Sequence, residues 1–587
     1  MTLLGVERSV TGRRWLWREG DARIGAAIAQ RLGVSELVGR LIAARGVGIA
    51  EAADFFEPTL RAMLPDPSAL RDMDAAAERI ADAVRRGEHV AVFGDYDVDG
   101  ACAGALMTQV LRDLGCAVTP YVPDRLREGY GPNADAITML CNRGATLIIC
   151  VDCGIAAPAQ LAVAAGRADV VVLDHHKAEG DLPRVVAVVN PNRLDDTSGL
   201  HHICAATVAF LAAVAVLRVL RRSGHFAQAA EPDLRNLLDI VALATVCDVM
   251  PLRGINRALV TQGLKVLARR ERPGIAALLD VAAARDPFTA HTFGFALGPR
   301  INAGGRIDVA DLGLRLLLEE DPIEARAMAE QLDAVNRKRQ DVEAHVLAAA
   351  FAAAEAQASA GRAVLLVVGE GWHPGVVGIV AGRVKERFNR PACIAGLAMG
   401  IAKGSGRSVP GVDLGSPVIA ARQAGLLLTG GGHAMAAGFS FEAARQAEFH
   451  DFLEARMEAA KGLPTAADLA LEGTLNVAAA TVDFATQVER LAPFGAGNEE
   501  PVFAIARARI LKADRIGKEG ATIRAIIEGE GGGRLKTICF RAKEGPLAEA
   551  LLARDRVPMH LAGHLRAERW NGDVSACLQV VDAAPVG

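Results

Sequence analysis

The sequence predicts a multidomain α/β protein: a parallel-sheet domain wound on both faces, a long helix, a smaller α/β domain and a C-terminal β-barrel. Three observations carry this. Short β-rich apolar runs alternate with helical segments from about residue 88 to 250, the pattern of a parallel sheet covered on both sides. Residues 319 to 358 lack glycine and are rich in Ala, Glu, Gln and Arg, as a long helix requires. From about residue 470 short strands with turns between them remain, as in a small barrel.

In the first domain the order is strand HVAVFG, helix ACAGALMTQVLRDLG, strand CAVTPYV, helix NADAITMLCNRG, strand ATLIICVD, helix APAQLAVAAGR and strand ADVVVLD. The later α/β pattern has RAVLLVVGEG as a strand and VVGIVAGRVKERF as a helix, and the barrel strands include PVFAIARARIL, ATIRAII and RLKTICF. These elements place an N-terminal segment at 1–50 and domains at 51–318, 359–462 and 463–587, with the connector helix, Pro at its second turn, at 319–358.

Composition bounds the rest. The 587 residues are 51% hydrophobic and 23% charged with a net charge of −4, ordinary for a globular protein with a large core. Any nucleic-acid contact must come from local patches. Glu7 and Arg8 interrupt the N-terminus too early for a signal peptide. The most apolar run, ATVAFLAAVAVLRVL, is broken by Arg218 and is shorter than the roughly 20 residues of a membrane span, so it reads as a core helix. Ten cysteines without framework spacing suit a reducing cytoplasm, and the single CxxC, Cys150 to Cys153, reads as part of a buried strand and its end.

The chemistry gathers where strands end. Ligands of open α/β sheets bind beyond the carboxyl ends of the strands. There the sequence sets Asp95, Asp97 and Asp99 after the first strand, Asp152 after LIICV, and Asp174, His175 and His176 after VVVL. Asp248, after IVALATVC, is expected on the same sheet edge. Alternate residues of extended chain share a side, so the three acids after the first strand are expected to converge. A single strand-end Asp is more often a helix cap, but four coincident clusters are not explained by capping. Carboxylates and imidazole without clustered thiolates favour Mg²⁺ or Mn²⁺, and two such ions about 4 Å apart can polarise a phosphoryl group, acidify a water and steady a leaving oxygen. Asp97, Asp99, Asp152 and Asp248 supply charge to such ions, His175 suits a metal ligand, and His176 suits orienting or protonating a phosphate oxygen.

In this order, DYDVDG, VDCGI, DHH at 174 to 176 and CDVMPL resemble the four motifs of the DHH phosphoesterase superfamily, and GSGRS at 404 to 408 with GGHAMAAGFS at 431 to 440 resembles its DHHA1 partner domain. With PDRLREGYGP, GPRINAGGR and LAPFGAGNEEPVF before a barrel, the chain after about residue 50 is similar to the RecJ family of bacterial single-strand-specific 5′→3′ DNA exonucleases. The resemblance implies a DHH domain, a DHHA1 domain and an OB-fold barrel. It implies Asp97, Asp99, Asp152, His175 and Asp248 as metal ligands of two Mn²⁺ or Mg²⁺ ions, supported by Asp95 and His176, with Asp152, His175 and His176 catalytic. Many superfamily members carry a His four residues before the second acid of the first motif; here that residue is Phe93, and Asp95 is the candidate replacement.

The resemblance further implies that Arg125, Ser405 and Arg407 hold the 5′-terminal phosphate. An arginine fork, backbone N–H groups and a small hydroxyl are suited to that task. Gly431, Gly432 and His433 form either a tight turn or a phosphate-binding loop. Arg300 and Arg306, around Asn302, serve either as structural ion pairs or as strand contacts. From Pro501 onward 14 Lys and Arg stand against 10 Asp and Glu, and Phe503, Phe540 and Trp570 are the aromatics available for base stacking, fewer if some are core.

The function implied is hydrolysis of single-stranded DNA from a 5′ end threaded between two lobes, in DNA repair and recombination. The expected form is a cytoplasmic monomer without membrane contact, with a single-strand-binding protein and a helicase as fitting partners. The alternatives are a DHH phosphodiesterase of short oligonucleotides or cyclic dinucleotides, which needs no barrel, and a non-catalytic strand-binding scaffold, which should have lost the acids.

Overall fold

The computed structural model describes residues 1–586 apart from 125–127, 130, 178–179, 308, 465, 554–556 and 571–572. The chain forms two compact units: residues 50–337 with 492–499, and residues 1–49, 338–491 and 500–587.

In the first unit β1 (His89–Gly94), β2 (Ala117–Tyr121), β3 (Leu147–Val151), β4 (Asp169–Leu173) and β5 (Ala187–Val189) make a wholly parallel sheet ordered β2-β1-β3-β4-β5. Side chains alternate between two cores. Val90, Val92, Ile149, Val151 and Val171 face α1 (Val98–Asp113), α3 (Ala205–Arg222) and α4 (Leu238–Cys247). Ala91, Phe93, Ile148, Cys150 and Val172 face α2 (Ala134–Asn142). Burial on both faces is why these strands read as continuous apolar runs. The strand order reverses between β1 and β3, the switch point beyond which doubly wound sheets hold ligands.

One expectation changes here and another holds. The run before Asp248 is α4, so Asp248 sits at a helix C-terminus and not on the sheet edge. The apolar run from Ala206 is α3, buried along most of its length. Among the described residues no helix is long and apolar enough to cross a membrane.

In the second unit β6 (Leu365–Glu370), β7 (Ala392–Ala398), β8 (Ile401–Arg407), β9 (Thr429–His433) and β10 (Ala436–Glu442) form a sheet ordered β9-β10-β8-β7-β6, parallel between β6 and β7 and antiparallel elsewhere. The barrel closes through β11 (Phe503–Ile516), β12 (Thr522–Glu528), β13 (Arg534–Cys539), β14 (Met559–Trp570) and β15 (Asp573–Pro585), because β11 pairs with both β12 and β14. A long hairpin, β14 and β15, supplies two strands absent from the sequence reading.

The N-terminal residues, to which the sequence assigned no role, complete this unit. Trp15–Trp17 pairs in parallel with Leu469–Leu471. The Trp15 side chain is fully buried and donates its indole N–H to Asp582 at 2.9 Å. The long helix is α5 (Pro322–Ser359), which begins at Pro322 and not at residue 319. Asp321 accepts the Ile323 N–H at 2.7 Å and so caps it, and proline is favoured at the first helical position, where its missing N–H costs nothing.

Candidate metal centre

After β1 the chain turns sharply. Asp95 is buried, and Asp97 caps α1 by accepting the Gly100 N–H at 3.1 Å. A Cβ on Gly100 would lie 2.5 Å from the Asp95 carbonyl oxygen, so the turn closes only around glycine. Asp99 is already in the first turn of α1. Its two carboxylate oxygens accept the N–H groups of Ala205 at 2.7 Å and Ala206 at 2.8 Å, at the positive N-terminus of α3. The three acids are therefore not three equivalent positions on one extended strand.

Asp152 follows β3 with φ of 61°, a left-handed backbone in a non-glycine residue, and is 1% exposed. Burial pushes its carboxyl well above the usual range, and Asp99, Asp97, Asp174 and Asp95 push the same way. Asp99 is raised as well, first by burial. Asp248 is raised to about 8 by burial and by Asp99 and Asp97, and its Oδ2 is buried with no hydrogen-bond partner among the described residues.

Asp174 organises the next turn. One oxygen accepts the backbone N–H of His175 at 2.7 Å and of His176 at 3.1 Å, and the other accepts that of Ile155 at 3.2 Å. The sequence scan missed two further residues. Asn190 donates to the His176 carbonyl at 2.9 Å, and Asn192 donates to that of His175. They lie in VVNPNR just beyond β5, so a scan of strand ends for amides as well as acids would have found them.

These turns bring the ligands together. His175 Nε2 lies 3.3 Å from Asp152 Oδ1 and 3.6 Å from both Asp99 Oδ2 and Asp248 Oδ2. Three groups each place their ligand atoms within 4.8 Å of one another: Asp95, Asp97 and Asp152; Asp99, His175 and Asp248; and Asp152, His175 and His176. Among the described residues no Lys or Arg stands within ion-pair distance of Asp97, Asp99 or Asp248. Oxygen and imidazole donors whose charge is unbalanced fit hard or borderline divalent cations. Phe93 is no part of this set. It is fully buried in the core facing α2, against Tyr121 at a ring separation of 5.3 Å.

The other anticipated residues separate. Arg125 lies outside the described residues. Arg300 is ion-paired with Asp333 at 2.9 Å. Arg306 is half-buried, next to Gly305, whose Cβ would stand 2.6 Å from the Tyr96 carbonyl, so its helix lies against the DYDVDG turn.

In the second unit the GSGR of GSGRS is strand. Ser405 and Arg407 lie on β8, whose backbone is paired on both sides, which leaves side chains rather than a cradle of N–H groups to meet a ligand. Gly378 in α6 (Pro374–Phe388) gives them room, since a Cβ there would lie 3.3 Å from Arg407 Nη2 and 3.5 Å from Ser405 Oγ. The Arg407 guanidinium donates to the Gly406 carbonyl at 2.9 Å and has no carboxylate partner among the described residues, and burial lowers its pKa. Such a cation calls for an anion. Gly431, Gly432 and His433 are likewise β9, paired with β10, and neither a tight turn nor a loop.

Comparison with known proteins agrees with this architecture. The DHH family N-terminal domain matches residues 89–245, the DHHA1 domain residues 360–459 and the RecJ OB domain residues 471–582. The chain is 33% identical to the single-stranded-DNA-specific exonuclease RecJ of Bacillus subtilis over 583 residues, which cover 97% of this chain and 71% of that protein. It is also similar to two crystal structures of RecJ from Thermus thermophilus, each 28% identical. The complex with Mn²⁺ has a TM-score of 0.79 and covers 97% of this chain and 79% of that one. The complex with Mg²⁺ has a TM-score of 0.75 and covers 97% and 78%.

Proposed function

This chain belongs to the RecJ family, and on that premise we propose that it is a metal-dependent exonuclease that hydrolyses single-stranded DNA from a 5′ end and releases mononucleotides. The observation that carries the proposal is the acid cluster at the switch point of the sheet, where Asp152 belongs to two of the three ligand groups. Asp95, Asp97 and Asp152 would hold one divalent cation, and Asp99, His175 and Asp248, with Asp152 close by, a second. Bound there, Mn²⁺ or Mg²⁺ would supply Lewis acidity to the scissile phosphate and to water.

The protein's own groups supply the remainder. His176 stands at the edge of the cluster, half-exposed, with Nδ1 held by Asp174, so its Nε2 is the nitrogen that can donate a proton to a phosphate oxygen or to the departing one. Ser405 and Arg407 would take the 5′-terminal phosphate, which gives the enzyme its polarity. Arg306 and His433 remain candidates for strand contact, with Gly431 and Gly432 serving to form the strand that carries His433. The barrel would follow the single strand as OB-folds do. Ten free cysteines suit the cytoplasm. A monomer working beside a single-strand-binding protein and a helicase, in DNA repair and recombination, completes the proposal.

The test is digestion of a long 5′-phosphorylated single strand, an equal duplex and a dinucleotide with Mn²⁺ or Mg²⁺. Ordered release of mononucleotides from the 5′ end of the single strand is expected, and Asp152→Ala should lower the rate by about 10³-fold or more, as loss of a shared metal ligand implies. Cleavage confined to the dinucleotide would point instead to a phosphodiesterase of short substrates, and an unchanged rate in Asp152→Ala would remove the cluster from catalysis.

A further inference from the structure

Residues 492–499 leave the second unit and pack within the first, more than 200 residues downstream of the segment they meet. That segment is the turn after Asp248. Leu252 donates its N–H to the Ala496 carbonyl at 2.7 Å. Arg253 Nε donates to the Gly497 carbonyl at 2.9 Å, and Arg257 Nη2 to that of Ala492 at 2.9 Å. The strap is tightly made. Gly495 and Asn498 exchange backbone bonds at 3.0 and 3.1 Å, and the fully buried Asn498 donates its side-chain N–H to the Pro493 carbonyl at 2.8 Å.

Close approach requires glycine at 497 and is tight at 495. A Cβ on Gly497, where φ is +70°, would lie 2.9 Å from Pro251 Cβ, and one on Gly495 would lie 2.8 Å from Leu252 Cδ1. On its other side the turn is tied by Asn256, which donates to the carbonyls of Pro251 at 3.1 Å and His202 at 2.7 Å. His202 stands shortly before the start of α3, whose N–H groups hold Asp99. Just before these anchors, and next to Asp248, Val249 has φ of 58° and is 69% exposed. A β-branched residue stays in that conformation only where its surroundings impose it.

We propose that residues 492–499 are a positioning strap for Asp248: Gly497 and its partner Arg253 fix the turn that aims this carboxylate at the metal centre. The inference rests on Asp248 being a metal ligand, as proposed above. It gives the LAPFGAGNEEP segment a role in the metal site rather than in the barrel that follows it.

The test measures Mn²⁺ binding, by electron paramagnetic resonance of the free ion, to full-length protein stripped with EDTA and dialysed. Gly497→Ala and Arg253→Ala should each weaken one Mn²⁺ by about tenfold, the scale on which groups that orient a ligand act. Nuclease activity should return at excess Mn²⁺, Arg253→Lys should recover most of the affinity, and the unfolding temperature of Arg253→Ala in EDTA should stay at the wild-type value. Wild-type Mn²⁺ affinity in both Ala variants would overturn the strap, as would a loss matched in both by a fall in EDTA-state unfolding temperature. Asp248→Asn separates the two levels. If it loses one Mn²⁺ while the strap variants lose none, the strap alone is wrong; if it keeps both ions at full affinity, the assignment of Asp248 fails and the strap with it.

Discussion

Asp174 accepts a hydrogen bond from His176 Nδ1 at 2.9 Å while the same oxygen accepts two backbone N–H groups. Burial alone would lower the His176 pKa, but the bond and the charge of Asp174 raise it to about 9, with Asp248 and Asp97 adding to the effect. Asp174 itself, which burial would raise, is held below the usual carboxylate range by the same His176 bond. Asp174→Asn should therefore drop the His176 pKa, read by NMR titration of the metal-free protein. It should slow cleavage by about 10² or more, the usual worth of a placed general acid.

The acids around Asp152 make a second prediction about pH. Asp248 has a folded pKa of about 8 against about 4 unfolded, so the folded state binds the extra proton between these values. Stability from this group is fully present below about pH 4 and is lost as pH rises through about 8. His176, raised to about 9, contributes in the same direction, its share being lost as pH rises above about 6.5. In EDTA the unfolding temperature should fall from about pH 6 to about pH 9, and Mn²⁺ should restore more of it at the higher pH than at the lower. A flat EDTA profile in scanning calorimetry would contradict the charge arrangement. Asp152→Asn should raise the EDTA-state unfolding temperature by removing one of the mutually repelling acids.

Much of the site was legible because its residues end elements whose type is plain from pattern. Asp95, Asp97, Asp152, His175 and His176 follow short apolar strands with clear boundaries. Asp248 misled because IVALAT, just before it, is a fully buried helix segment, and a helix buried on all sides has no amphipathic period to separate it from a strand. GGH misled because glycine-rich stretches read as turns or loops, whereas here, as in GSGRS, glycines flatten strands. A Cβ on Gly404 would lie 2.5 Å from the Phe439 ring, so the sheet surface itself excludes side chains there. The barrel role of Trp15 and the return of residues 492–499 to the first unit depend on contacts across hundreds of residues, which no local pattern encodes.

Arg407 offers a test of polarity. Its guanidinium is mostly desolvated, beside Ser405 and the gap left by Gly378, without a carboxylate among the described residues. A terminal phosphate would gain charge-assisted bonds worth about 1.5 to 3 kcal/mol. Arg407→Ala should lower kcat/KM for a 5′-phosphorylated strand by about 10- to 100-fold and leave a 5′-hydroxyl strand nearly unchanged. Equal losses on both strands would mean that Arg407 serves the fold. Arg407→Lys should recover only part of the preference, since an ammonium cannot present the planar fork.

The barrel's outer face sets the last prediction. β12 and β13 pair Arg524 with Ile538 and Ile526 with Lys536, and Arg524, Ile526, Lys536 and Phe540 are all exposed. Phe503 is 1% exposed and belongs to the core, while Phe540, 51% exposed, is an aromatic placed to stack on a base; the side chain of Trp570 lies outside the described residues. Alternating cations and apolar groups on one sheet face suit phosphates and base faces in turn. Lys536→Ala should reduce the slope of log affinity against log salt by about 0.7 for a single strand, the release of one counterion. Phe540→Ala should cost about 1 to 3 kcal/mol of affinity without changing that slope. Fluorescence anisotropy in EDTA at several salt concentrations separates the two, and a Phe540→Ala variant with wild-type affinity would remove stacking from this face.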